Sequence, residues 1–293
     1  MENLIKILPP EIMQYLEKIQ ASYITEIRLR VNQKLRIRLL DKEKVFEYVV
    51  KSQDMTEVLK RVSNNSIYSI QDNINSGYIT AYGGNRIGIS GEVVQENGKV
   101  KNIKNVTSMN IRIAHEIIGC SNSIINRICV NGKVQNTLII SPPGKGKTTM
   151  LRDVIRNVSS NGENVGIVDE RYEIANVYQG KPTLNIGPRT DVISGISKEK
   201  GINTLVRCMG IDVIATDEIG GFEDCGAILN ASMCGVSVIA TAHGSAYQDL
   251  PYDLQQLVNK GVFKLIIYLS SDIGKVEKIV ELKGDKKWLS NVC

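Results

Sequence analysis

Neither a disulfide scaffold nor a zinc framework can be built from this sequence. Its six cysteines among 293 residues stand at positions 120, 129, 208, 225, 234 and 293. No two form a C-x-x-C pair, and the spacings match no disulfide or zinc pattern, so free thiols in a reducing compartment are expected. No apolar run approaches the roughly 18–20 residues that a membrane-spanning helix needs. Met1-Glu2-Asn3-Leu4-Ile5-Lys6 lacks a signal-peptide pattern. A soluble, cytosolic chain is therefore expected, with any membrane association made through a partner. A strong charge of one sign is also missing. The net charge of +5 suits anionic partners but is too weak to imply nucleic-acid binding by itself. Residues 1–120 hold 17 Lys and Arg against 13 Asp and Glu, so most of the excess lies there. No internal repeat or low-complexity tract is visible.

What is present is apolar material, 42% of the chain, enough for one large or two ordinary domains. One stretch organises the rest. Leu138-Ile139-Ile140 runs into Ser141-Pro142-Pro143-Gly144-Lys145-Gly146-Lys147-Thr148-Thr149, and Met150, Leu151, Val154, Ile155 and Val158 then recur at helical spacing. A strand, a Gly-rich loop and a helix in that order make a phosphate cradle, in which backbone N–H groups and the positive helix N-terminus face phosphate oxygens. Pro143 through Thr149 would line it. Lys147 would reach the β- and γ-phosphates and the Thr148 hydroxyl would ligate Mg²⁺. Ser141 replaces the first glycine of G-x-x-x-x-G-K-[ST]. The competing explanation, a Lys-rich surface turn, leaves the downstream features unaccounted for.

The N-terminal part reads as α+β. A helical start spans residues 4–22, punctuated by Pro9-Pro10, and a second helix spans 53–69. Glu26 to Arg30 and Leu35 to Leu39 alternate apolar and charged residues, as half-buried strands do. Gly77 to Thr80, the Gly83-Gly84 turn and Asn85 to Val94 read as a hairpin, Glu96 to Lys99 as a turn, and Ser108 to Ala114 as a strand. A boundary is placed near Gly119 to Ser123, giving domains 1–120 and 121–293. A helix from Ser121 to about Cys129 and a turn at Asn131-Gly132-Lys133 lead to a strand at Asn136 to Ile140. Beyond the phosphate loop, strands at Asn164 to Asp169, Asp212 to Asp217 and Val236 to Ala242 alternate with helices at Lys198 to Met209 and Cys225 to Cys234. Buried runs alternating with helices imply a mostly parallel sheet covered on both faces. Phe263 to Leu269 and Val276 to Leu282 are expected as an antiparallel edge hairpin.

Binding phosphate is not hydrolysing it. Val213-Ile214-Ala215-Thr216-Asp217-Glu218 ends a buried strand in two carboxylates, at the strand end where open α/β sheets bind ligands. Asp217 is placed to hold the Mg²⁺ shell through water, and Glu218 to polarise the attacking water as general base. Two adjacent acids there are costly without a cation nearby. The plainer reading is a strand that simply ends at a solvated acid pair. A second acidic edge, Asp169-Glu170-Arg171-Tyr172-Glu173, follows another apolar strand. Glu170 or Glu173 could meet Mg²⁺ or the water, with Arg171 paired to either, or the segment could be an ordinary helix cap. His243, at the tip of Ala240-Thr241-Ala242, could sense a γ-phosphate by a hydrogen bond, whereas His115 reads as structural. Arg86, Arg112, Arg189 and Arg207 are candidates for stabilising transition-state charge, in cis or from a neighbouring subunit.

In this order these segments, with Glu26-Ile27-Arg28-Leu29-Arg30, Gly77-Tyr78-Ile79-Thr80 and Gly83 to Gly88 upstream, closely resemble the stage III sporulation AA family of endospore-forming bacteria. The resemblance covers nearly the whole chain. That family is similar to the ATPases of type II and type IV secretion and pilus systems. The resemblance implies an α/β fold, with a RecA-like P-loop ATPase domain behind a smaller N-terminal α+β domain, and a hexameric homo-oligomer that uses ATP and Mg²⁺. By the same resemblance Asp169-Glu170 fall on an acidic box, Glu218 on the Walker B glutamate and His243 on a histidine box. Arg86 and Arg112 fall in the domain that contributes arginines to the nucleotide. The implied role is to energise a channel complex between mother cell and forespore. The implied location is the cytoplasmic side of the outer forespore membrane, held there by a membrane protein partner. A nucleic-acid-binding P-loop ATPase is the alternative. The R-x-x-x-H pattern of such modules is not visible, so a nucleic-acid partner is not expected.

Overall fold

The structure, a computed structural model, describes residues 2–63, 78–96, 99–113, 115–178, 180–270, 272 and 274–282. It divides into two units, Met1–His115 and Glu116–Cys293, each with its own hydrophobic core. The expected turn at Asn97-Gly98, and Gly77, Ala114 and residues 64–69 of the second expected helix, lie outside the described residues.

In the first unit the alternating segments form β1 (Ile24–Arg30) and β2 (Lys34–Leu39), followed by β3 (Glu43–Val49), β4 (Tyr78–Thr80), β5 (Arg86–Glu96) and β6 (Lys99–Arg112). Among the described residues they make a six-stranded antiparallel sheet in the order β3-β2-β1-β6-β5-β4. Period two sends Ile27, Leu29, Leu35, Ile37, Ile87, Met109 and Ile111 to one face. There they pack with Ile12 and Leu16 of α2 (Pro10–Leu16) and with Met55 and Val58 of α3 (Ser52–Ser63). The expected helix over 4–22 is instead α1 (Glu2–Ile5) and α2, because Pro10 has no N–H to continue a helix and takes the first helical position of the next. β3 lies outside the expected strands, although Val45, Phe46, Tyr48 and Val49 are strand formers. It is an edge strand, mostly exposed on both faces.

The second unit opens with α4 (Ile125–Ile128), shorter than expected, and the hairpin β7 (Cys129–Val130) to β8 (Lys133–Val134). Asn131 and Gly132 both take positive φ, 50° and 71°, as a two-residue hairpin turn of matching twist requires. Then come β9 (Thr137–Ser141), α5 (Lys147–Ser160), β10 (Val165–Asp169), the short ribbon β11 (Val177–Tyr178) and β12 (Lys181–Pro182), and β13 (Thr190–Ser194). They are followed by α6 (Lys198–Cys208), β14 (Val213–Thr216), α7 (Phe222–Met233), β15 (Ser237–His243), α8 (Tyr252–Asn259), β16 (Leu265–Leu269) and β17 (Val276–Glu281). Among the described residues the sheet has seven strands in the order β13-β10-β14-β15-β9-β16-β17, all parallel except β17.

Both faces of this sheet are covered, so its strands read as continuous apolar runs. Leu138, Ile140, Ile214, Val238 and Ala240 face α6, α7 and α8 through Ile202, Leu205, Ile228, Leu254 and Leu257. Ile139, Ile167, Val213, Ala215 and Ile239 face α5 through Met150, Leu151, Val154, Ile155 and Val158. The α6 helix lies so close on β10 that a Cβ at Gly201 would come within 2.5 Å of Val168 Cγ1. One expectation needs correction, and two elements lie outside the expected ones. β13 is stabilised by its parallel pairing with β10, and helix α8 covers the sheet. The C-terminal hairpin is antiparallel as expected, but β16 also pairs with β9 and is interior, leaving β17 as the edge. Among the described residues no helix is long and apolar enough to cross a membrane.

Buried Asp153 of α5 ties the start of the unit to this core. It accepts from the N–H groups of Gly119 and Ser121, the Ser121 hydroxyl and the Arg156 guanidinium, at 3.0, 2.8, 2.7 and 2.9 Å. Burial pushes its carboxyl up, but these donors together outweigh that and hold it below its ordinary value of 3.8. A depressed carboxyl adds stability above its unfolded pKa and loses it as pH falls through the folded one. Asp153→Ala should therefore cost about 3 kcal/mol at pH 7 in denaturant melts, with the gap to the unsubstituted chain closing below pH 3.8.

Candidate functional site

The loop between β9 and α5 turns on two glycines. Gly144 and Gly146 take φ of 74° and 89°, a region that a side chain disfavours. Gly146 is also the N-cap of α5, and its carbonyl accepts from the Met150 N–H at 2.9 Å. The loop is propped from outside by the turn of the β16–β17 hairpin, where the Gly274 N–H donates to the Lys145 carbonyl at 3.0 Å. Pro143 and Gly144 are exposed; Lys145, Gly146, Thr148 and Thr149 are half-buried. Lys147 is buried, and its ammonium donates to the carbonyls of Ser141 at 2.8 Å and Pro142 at 3.1 Å. Reaching a phosphate requires it to exchange these acceptors for phosphate oxygens. Burial lowers its pKa, an effect opposed by the Glu218 charge.

Parallel pairing brings the other candidates to the same edge. Val168 pairs with Thr216, Thr216 with Ala240, and His243 with Ser141. Asp169, Asp217 and Glu218, just past the first two points, and His243, at the third, therefore lie at the strand ends from which the phosphate loop also emerges. Asp217 is buried, and its Oδ2 has no hydrogen-bond partner. Burial first, then the charges of Asp169 and Glu173, raise its carboxyl to about 7, partly offset by the Lys198 ammonium. An orphaned carboxylate oxygen among like charges fits a divalent cation.

Glu218 has φ of 46°, a strained conformation for a residue with a side chain. It is pinned there by Thr241, whose Oγ1 accepts the Glu218 N–H at 2.9 Å and whose carbonyl accepts the Ile219 N–H at 2.9 Å. Its carboxylate is gripped on both oxygens. Oε1 lies 2.9 Å from His243 Nε2, and Oε2 accepts from Arg171 Nη1 at 2.8 Å. His243 Nδ1 lies 3.0 Å from Lys147 Nζ. An ammonium has only donors, so Nδ1 must accept and Nε2 must carry the proton. Lys147, His243, Glu218 and Arg171 thus form one hydrogen-bonded chain from the loop to the turn after β10.

The second acidic edge is built differently from the sequence expectation. Asp169 is fully buried, and its two oxygens accept the N–H groups of Glu173, Ile174 and Ala175, so it fastens its own turn. Glu170 pairs with Lys198 rather than Arg171. Arg171 reaches across to Glu218. Lys198 itself went unread in the sequence. It is buried between Glu170 and Asp217 at the first position of α6. A lysine in a helix's first turn opposes the macrodipole, and that anomaly was its one sequence signal. Arg152 was also missed. It is buried and holds the carbonyls of Ile174 and Glu173.

The arginine candidates separate. Arg189 precedes β13 and bonds the Gly162 carbonyl, and exposed Arg207 lies in the last turn of α6. Both are therefore at the end of the strands opposite the phosphate loop. Arg86 and Arg112 face each other across β5 and β6, with Glu26 next to Arg112 on β1. His115 lies 2.8 Å from the Ile24 carbonyl.

A family model described as sporulation stage III, protein AA, matches residues 1–287. Stage III sporulation protein AA of Bacillus subtilis (strain 168) is 36% identical over 297 residues, 97% of this chain and 96% of that protein. Among solved structures, the pilus retraction motor PilT with bound ADP superposes with a TM-score of 0.60 at 16% identity, covering 88% of this chain and 76% of that one. The Legionella pneumophila ATPase DotB gives 0.56 at 14% identity, over 89% and 76% of the two chains. At these identities the likeness to the solved structures is one of fold: mixed α/β with a mainly parallel sheet.

The raised Asp217 carboxyl makes a pH test of the site. Between 3.8 and about 7 the unfolded chain gains ionisation that the folded chain resists, so stability falls as pH rises through that window. Asp217→Asn removes this penalty. In thermal melts without divalent cations its advantage over the unsubstituted protein should grow from pH 4 to pH 7 and then level off.

Proposed function

The chain belongs to the sporulation stage III protein AA family, and from that premise we propose that it is a Mg²⁺-dependent ATPase that turns ATP hydrolysis into movement as an oligomer. One observation carries the reading: a phosphate loop, an orphaned buried aspartate and a doubly gripped glutamate converge on one edge of a parallel sheet. The second unit is read as a RecA-like ATPase domain of residues 121–293, behind an N-terminal domain of residues 1–120.

In this mechanism the N–H groups of Gly144 to Thr149 cradle the phosphates, with Pro143 lining the loop through its ring and carbonyl. Lys147 leaves the Ser141 and Pro142 carbonyls for the β- and γ-phosphate oxygens. Thr148 and Asp217 are the residues that would hold Mg²⁺, which supplies charge neutralisation on the phosphate oxygens when bound. Glu218 orients a water and takes its proton. The water oxygen bonds to the γ-phosphorus as the bond from that phosphorus to the bridging oxygen breaks, and the proton leaves with the phosphate. His243 joins loop to base and links nucleotide state to movement, with Glu170 on the neighbouring edge. The transition-state arginine is one of Arg86, Arg112, Arg189 and Arg207; the last two could serve only a second copy.

The motor is read as a hexamer. Its work is to energise a channel between mother cell and forespore, from the cytoplasmic side of the outer forespore membrane and through a membrane protein partner. Lys147→Ala should weaken ATP binding at least about tenfold in direct titration; unchanged affinity would remove the phosphate-loop assignment. Glu218→Gln should bind ATP normally and lose about 10²–10⁴-fold in phosphate release.

A second reading has its own observation. The outward face of the first unit's sheet carries Arg28, Arg30, Arg36, Arg38, Arg86 and Arg112 on four adjacent strands, a surface suited to a polyanion such as single-stranded nucleic acid. A gel shift with single-stranded DNA or RNA that weakens steeply between 50 and 200 mM salt, as counterion release requires, would favour it; no shift would favour the motor.

A further inference from the structure

Arg171 has no task in the mechanism above, yet it touches the residue on which that mechanism turns. It sits in the turn after β10 among Asp169, Glu170 and Glu173, and its side chain is 58% exposed. Its guanidinium crosses to the end of the adjacent strand and donates to Glu218 Oε2. A single exposed ion pair contributes little to stability, so folding alone does not account for this contact.

Two donors, one on each oxygen, fix the plane and direction of the Glu218 carboxylate. They differ in what they depend on. The His243 grip is tied to the loop, because Nδ1 of the same ring accepts from Lys147. When Lys147 turns to a phosphate, Nδ1 loses its donor and the imidazole is free to change tautomer or turn. The Arg171 grip passes through no group that a nucleotide must displace. The left-handed backbone of Glu218, pinned by Thr241, aims the side chain toward both grips.

We propose that Arg171 is a positioning residue for Glu218: it holds the carboxylate in line with the attacking water at the stage when Lys147 has been drawn to the nucleotide. This rests on Glu218 acting as the base. It forms no bond to substrate and exchanges no proton, and it needs no second copy of the chain.

The test uses the full-length protein, with ATP affinity by direct titration and phosphate release in steady state and in single turnovers. Arg171→Ala should lower kcat about 10- to 100-fold, as misplacement of a reacting group does, with ATP affinity changed less than about twofold. Arg171→Lys, which keeps the charge but not the fork, should recover most of the rate. Added guanidinium ion should restore part of the rate to Arg171→Ala and none to the Glu218→Gln variant. In a Glu218→Gln background Arg171→Ala should cause no further loss, because the group it positions is gone. An equal further loss in that background would mean that Arg171 acts on the phosphate directly, and would overturn the proposal. Normal turnover by Arg171→Ala beside an inactive Glu218→Gln would remove this inference alone. Full turnover by Glu218→Gln would remove the base assignment and this inference with it.

Discussion

Parallel pairing of β10, β14, β15 and β9 is the constraint on which the rest of the second unit depends. Parallel strands are re-entered through helices on the sheet faces, so every strand ends at the same edge and its polar continuation emerges there. The register does the alignment: Val168 with Thr216, Thr216 with Ala240, His243 with Ser141. A shift of one residue in a strand would turn its inward residues, Ile139 on β9, Ile167 on β10 or Ile239 on β15, to the opposite face and disturb both cores. The position of the site is therefore held by hydrophobic burial on two faces, not by the polar contacts within it.

Those polar contacts solve a problem that the alignment creates. Four acids, Asp169, Glu170, Asp217 and Glu218, arrive at one edge, and like charges in a half-buried place repel. Asp169 is neutralised by three backbone N–H groups of its own turn, Glu170 by buried Lys198, and Glu218 by His243 and Arg171. Asp217 is left with one oxygen unsatisfied and a raised carboxyl. The acid with an unsatisfied oxygen is followed directly by Glu218, whose backbone is strained. Strain and unmet polar groups persist where the surrounding packing over-determines them.

How far the sequence could be read followed the range of the interactions. The phosphate loop was legible because glycines, lysine and helix start act over nine consecutive residues. β2 was legible because its period-two pattern is local. β13 was not, because its half-buried residues become a strand only by pairing with β10. β3 was harder to read because, on an edge strand exposed over most of its length, apolar residues such as Val45 and Val49 stand on the exposed side beside half-buried Phe46 and Tyr48. Residue types at the site were readable, but their partners were not. Arg171 has acids on both sides in sequence, yet it also holds Glu218, 47 residues away. Lys198 and Glu170 are 28 apart.

The sequence by itself determined the layered α/β class and the glycine-bent loop between strand and helix, because the Gly-Lys-Thr stretch, two acids at the end of an apolar run and continuous buried strands each carry their physics locally. Only the tertiary structure decided which acid is bare, which is spent on a turn and which is held between an arginine and a histidine. Those outcomes depend on strand register and on burial, which sum over contacts between residues distant in the chain and leave no mark on any one stretch of it.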